Sequence, residues 1–188
     1  MNIASTLITG LFATVALAGP AQAQGPRRQL GAHVHGASKL NVAIEGQTVT
    51  MALASPGHDI VGFEYRAHTD KQKAAVDKAT QTLRDPAKLF TLSPAAGCTV
   101  TAAASELKFE DAPAPAPGKA AAAAHAEFEG RYSLACTNTA AIADIEFPFF
   151  KLFPEAREVE VQVIGPAGQR RFEVKRARPR LSLRSLGS

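Results

Sequence analysis

Hydrophobicity alternates with a period of two in two separate parts of this 188-residue chain. Leu40, Val42 and Ile44 alternate with Asn41, Ala43 and Glu45, Gly46 turns the chain, and Val49, Met51 and Leu53 alternate with Thr50, Ala52 and Ala54. Successive side chains of a strand point to opposite faces, so this is a hairpin with one buried and one wet face. Ser55-Pro56-Gly57 ends it. Later, Val159, Val161 and Val163 alternate with Glu and Gln. Gly165-Pro166-Ala167-Gly168 turns the chain, and Phe172 with Val174 closes a second hairpin.

One main helix lies between them. Thr69 followed by Gln72 is a capping-box pattern, with Asp70 adding negative charge at the helix start. Ala75, Val76, Ala79 and Leu83 then share a stripe at helical spacing. Pro86 stops that helix, and Asp85-Pro86 opens a short turn through Leu89 and Phe90. Residues 98–109 read as a strand. In the next one, Phe128, Tyr132, Leu134 and Cys136 share the core parity while His125, Glu127, Glu129 and Arg131 share the wet one. Asp144 to Phe147 reads as a strand, and Phe149 to Phe153 as a turn of helix ended by Pro154. The expected class is α+β: antiparallel sheet from hairpins, packed with one main helix and a short second helix, and no βαβ series. Ala112 to Ala124 holds eight Ala and three Pro and reads as a flexible insertion within the domain.

Residues 1–23 are expected to lie outside the fold. An apolar run from Ile8 to Ala18 is broken by Gly19-Pro20, and Ala21-Gln22-Ala23 has the small-x-small form of a signal-peptidase site. The run is too short for a spanning helix, which needs about 20 residues. The expected mature chain is one domain over 24–188, exported and without stable membrane insertion. Export favours a disulfide between the only two cysteines, Cys98 and Cys136. A two-Cys metal site is the rival reading, weakened by the lack of a short C-x-x-C clip. The formal charge of +4 is concentrated at one end: from Arg170 onward there are seven basic residues and one acidic, so the body is mildly acidic. A nucleic-acid-coating body is excluded, and the basic stretch from Arg176 to Arg180 reads as a solvated end.

The chemistry-bearing residues are few. His33-Val34-His35-Gly36 precedes the first strand; if that strand extends back this far, both imidazoles share its wet face and can close on one ion. His125 and Glu127 share the wet face of a second strand. Three His and a Glu make a plausible tetrahedral set for Zn²⁺, with Cu²⁺ as the alternative metal. The residues alone leave open a metal site, two ordinary solvated faces, or a protein-interaction sheet with incidental histidines. No G-x-S-x-G elbow or Gly-rich phosphate loop is present, so no enzyme is expected.

The succession of motifs resembles the ZrgA-type periplasmic zinc-uptake proteins of Gram-negative bacteria. The resemblance is carried by Ala32-His33-Val34-His35-Gly36 with Leu40-Asn41-Val42, then Ile60-Val61-Gly62-Phe63-Glu64 followed by Thr69-Asp70 and a helix ending in Asp-Pro. It continues through Ala96-Gly97-Cys98, His125 to Phe128, Tyr132, Cys136 and the closing Val-rich hairpin. It implies a zinc-binding accessory acting beside an ABC-type importer and its solute-binding protein. By position it implies His33, His35, Glu64 and His125 as ligands, with Glu127 as a further partner. Two features depart from the family. The stretch often rich in His, Asp and Glu is here Ala112 to Ala124, and Tyr65 stands where a His tends to follow Glu64. One defined site is therefore expected rather than many weak ones. His58 reads as a loop histidine and His68 as a helix-entry residue.

Overall fold

The computed structural model describes residues 35–109 and 125–184. β1 (Ala37–Glu45) and β2 (Thr48–Pro56) form the first hairpin, in a register that sets Leu40 against Leu53, Val42 against Met51 and Ile44 against Val49. The buried parity is the one the alternation dictates: Leu40, Val42, Val49, Met51 and Leu53 are all in the core. β7 (Glu158–Gly165) and β8 (Gly168–Lys175) form the second hairpin. β4 (Cys98–Phe109) and β5 (Ala126–Cys136) pair antiparallel, and the six strands build one sheet in the order β4-β5-β2-β1-β7-β8.

The class is α+β with a dominant sheet, but that sheet is mixed rather than antiparallel. β1 and β7 run parallel, Leu40 beside Val161 and Val42 beside Val163. β5 and β7 therefore point the same way, and the chain between them must cross a face of the sheet instead of turning back. That crossing segment carries β6 (Asp144–Glu146) and α4 (Phe149–Leu152) and buries Ile145, Phe147, Phe149, Phe150 and Phe153. The link from β2 to β4 also joins strands of one direction. It carries α1 (Gly57–Val61), α2 (Asp70–Leu83), α3 (Pro86–Leu89) and β3 (Thr91–Leu92). The two crossings meet: the Phe90 ring packs edge-on against Phe147 and stacks on Phe149, and β3 pairs with β6. Local hairpin patterns carry no information on how two hairpins will be joined, so the parallel pair had no sequence signal.

α2 begins with the expected capping box, Thr69 Oγ1 accepting from Gln72 N–H and Gln72 Oε1 from Thr69 N–H. Its Ala79 and Leu83 are buried. The basic end is not wholly solvated. β9 (Arg180–Ser182) pairs with β6, Arg180 reaches Asp144 at 3.0 Å, and the Arg176 guanidinium donates to the carbonyls of Pro154 and Ala156. Cys98 and Cys136 oppose each other at one end of the β4–β5 ladder and are disulfide-bonded. Among the described residues no helix is long and apolar enough to cross a membrane. The expected signal segment 1–23 and insertion 112–124 lie outside the described residues.

Candidate metal centre

The centre gathers where β1 begins, β2 ends and β5 begins. The condition that β1 extends back to the histidines is not met: it starts at Ala37, and His35-Gly36 is a turn. Gly36 sits in the left-handed region (φ 89°), and a Cβ there would press on the Arg157 side chain at 3.0 Å. Its carbonyl accepts from the N–H groups of Arg157 and Glu158, both at 2.8 Å, which ties the turn to the start of β7. Its own N–H donates to Asp59 Oδ1 at 2.7 Å. His33 lies outside the described residues.

The second wall comes from α1, which follows β2 without a gap. Gly57 lets the helix start lie against β5: a Cβ would stand 2.7 Å from the Phe63 carbonyl and 3.1 Å from Ala126 Cβ. α1 ends at Gly62, whose N–H bonds back to the His58 carbonyl, and the chain then returns with Phe63 and Glu64. This short excursion carries Glu64 to His125, the residue before β5.

The Glu64 carboxylate lies between two imidazoles. His125 Nδ1 is hydrogen-bonded to Oε2 at 2.6 Å, and His35 Nε2 stands 3.1 Å from Oε1. The two His side chains are about half-exposed (52% and 57%), whereas the Glu64 side chain is 12% exposed. Burial pushes the Glu64 carboxyl up, but the hydrogen bond from His125 and the contact and charge of His35 outweigh it and hold the group below its ordinary value. Asp59, on α1, is buried completely. Burial raises its carboxyl pKa, and the Gly36 N–H and His58 only partly oppose this. The His58 ring stacks on His35, centroids 4.6 Å apart and planes within 10°.

Of the residues singled out in the sequence, the structure thus brings His35, Glu64 and His125 together. Glu127 stands two residues further along β5, half-buried, in register with Pro56 on one side and Lys108 on the other. Tyr65 accepts a hydrogen bond from Gln72, and its ring packs against Phe63 and, at 5.8 Å, His68, beside the capping box. His58 and Asp59 were not anticipated. His58 is not in a loop but in α1, and its place immediately after the strand-ending Ser55-Pro56-Gly57 was the available signal.

The donor set is chemically suited to a divalent transition metal: imidazole nitrogens and carboxylate oxygens, the ligands Zn²⁺ takes alongside thiolate. Three buried atoms, Glu64 Oε1, Asp59 Oδ2 and His58 Nδ1, have no hydrogen-bond partner among the described residues. No group of three or more His, Cys, Asp or Glu side chains among the described residues is already disposed around a common metal position. The carboxylate and imidazoles engage one another instead, at hydrogen-bond and ion-pair spacing rather than the ~2.0–2.1 Å of zinc to nitrogen. Over residues 32–183, most of the chain, the sequence matches the family model described as ZrgA family zinc uptake protein. Among curated proteins none matches the chain.

Proposed function

Because the chain belongs to the ZrgA family of zinc uptake proteins, we propose that it is a periplasmic accessory protein that captures zinc and yields it to an ABC-type importer or that importer's solute-binding protein. The Glu64 carboxylate held between the imidazoles of His35 and His125 is the observation that carries this reading. Both imidazoles are about half-exposed and the carboxylate beneath them is sheltered, so an arriving cation meets the imidazole nitrogens first and the carboxylate oxygens below. His33, His35 and His125 supply nitrogen, and Glu64 or Glu127 completes or steadies the set. The protein is not an enzyme: its work is selective affinity followed by release. Zinc is cargo, and its departure leaves the carboxylate to re-engage the imidazoles.

Isothermal titration of the purified chain from residue 24 onward tests this. One tightly bound Zn²⁺ per chain is expected, with binding sharply weakened in a His33→Ala, His35→Ala double variant. No bound zinc, several equivalent ions, or unchanged binding in the double variant contradicts the reading.

A further inference from the structure

We infer that His58 and Asp59 form the inner wall of the zinc site, offering the bound divalent cation an imidazole nitrogen and a buried carboxylate oxygen. This rests on the zinc reading above and adds two donors to it. The Asp59 side chain is fully buried. One of its oxygens, Oδ1, accepts from the Gly36 N–H at 2.7 Å, and the other, Oδ2, has no hydrogen-bond partner among the described residues. A carboxyl group taken out of water must be paired, take up a proton or meet a cation, and the hydrogen bond from Gly36 and the contact with His58 both fall on Oδ1, leaving Oδ2 as the oxygen open to a cation. Its neighbour His58 also has a buried Nδ1 without a hydrogen-bond partner among the described residues, 3.6 Å from Asp59 Oδ1. A sheltered nitrogen and a sheltered oxygen on consecutive residues therefore stand without hydrogen bonds beside the Glu64 cluster.

The stack of His58 on His35 makes this wall part of the same centre. An imidazole lone pair lies in the ring plane, so two rings within 10° of parallel aim their nitrogens side by side and not at one point. For both to face one ion, one ring must turn, and both are partly exposed on their outer sides, His35 at 57% and His58 at 39%. The Asp59 carboxylate also holds the Gly36 N–H, and so the turn that carries His35. A cation at the wall and the placement of His35 are thereby linked through one side chain.

The test is zinc titration of wild type, Asp59→Asn and His58→Ala side by side, with the melting temperature of each zinc-free protein. Asp59→Asn keeps an oxygen acceptor for the Gly36 N–H, removes the charge and puts an NH2 donor in place of Oδ2. The expected result is about ten- to hundredfold weaker zinc binding in each variant, with the zinc-free Asp59→Asn protein melting at or above the wild-type temperature. Zinc binding within twofold of wild type in both variants overturns this inference and leaves the proposed function standing. A zinc-free Asp59→Asn protein that melts below wild type overturns it too, because the carboxylate is then structural. Wild type that binds no zinc removes both readings.

Discussion

Glu64 Oε2 and His125 Nδ1 meet at 2.6 Å although 61 residues of chain separate them. Nothing local brings them together. Gly57 allows α1 to lie on the first residue of β5, and Gly62 ends α1 so that Glu64 returns to the strand entrance. The contact is therefore a property of the fold, and replacing Glu64, the sheltered partner, tests the carboxylate's contribution to the proposed zinc binding with both half-exposed histidines kept.

Glu64→Gln keeps the size of the side chain and its capacity to accept from His125, but loses the charge. Zinc affinity should fall about ten- to hundredfold, read by competition with a chromophoric chelator. Affinity equal to wild type would mean that the imidazoles bind without the carboxylate.

The same carboxyl sets an acid limb of stability. Its pKa in the fold is below the ordinary 4.5. A depressed carboxylate contributes stability that is present above the unfolded value and is lost as pH falls through the folded one. Below about pH 4.5 the zinc-free wild type should therefore lose melting temperature more steeply than Glu64→Gln. Asp59, raised in the fold, acts in the opposite sense but is common to both proteins and cancels in the comparison. Parallel acid limbs for the two proteins would contradict the assignment.

Removing the disulfide by Cys98→Ser with Cys136→Ser opens a closed loop of sequence separation 38. On the chain-entropy account this lowers stability by up to ~4 kcal/mol. Denaturant melts of the double variant measure it, and a change under about 1 kcal/mol would show that the β4–β5 ladder holds that end without the bridge.

Gly130 on β5 makes room for a ring. A Cβ there would come within 2.0 Å of the Tyr132 hydroxyl oxygen, which donates to the Leu83 carbonyl at 2.8 Å. Gly130→Ala must displace that hydroxyl, costing about 1–3 kcal/mol through overpacking. Adding Tyr132→Phe removes the nearest clashing atom, although the ring carbon Cζ still lies 2.6 Å from the added Cβ, so the double variant should be destabilised by somewhat less than the sum of the two singles, a coupling visible in a double-mutant cycle. Strict additivity would mean that the backbone had moved instead.

What could be read from the sequence divides along physical lines. Period-two runs such as Leu40-Val42-Ile44 and Val159-Val161-Val163 name their core faces because alternation is local, and all but the half-buried Ile44 at the end of the first run are buried. The Thr69–Gln72 cap is equally local and forms both its hydrogen bonds. The parallel union of β1 with β7 depends on two distant crossings, which no window of sequence displays. In the site, His35, Glu64 and His125 were legible as residue types in a succession of motifs. Their convergence, and the presence of His58 and Asp59, depended on close packing at Gly57 and on the left-handed turn at Gly36. The condition of a strand running on through the His-x-His pair is not met at Gly36, whose carbonyl is claimed by the start of β7.

That claim on the Gly36 carbonyl sets a schedule for the molecule. β1 is among the earliest strands in the chain but occupies the middle of the sheet, and its open edge waits for residues 158–164. Pairings of such long range form late, after the entropy of closing a large loop has been met. The turn bearing His35 is held on one side by Asp59, close by in the chain, and on the other by the start of β7, so its second fastening comes only when the last hairpin docks. On the zinc-capture reading proposed above, a copy truncated before the last hairpin is then expected to make a poor receptor, because one of the two fastenings of that turn is missing.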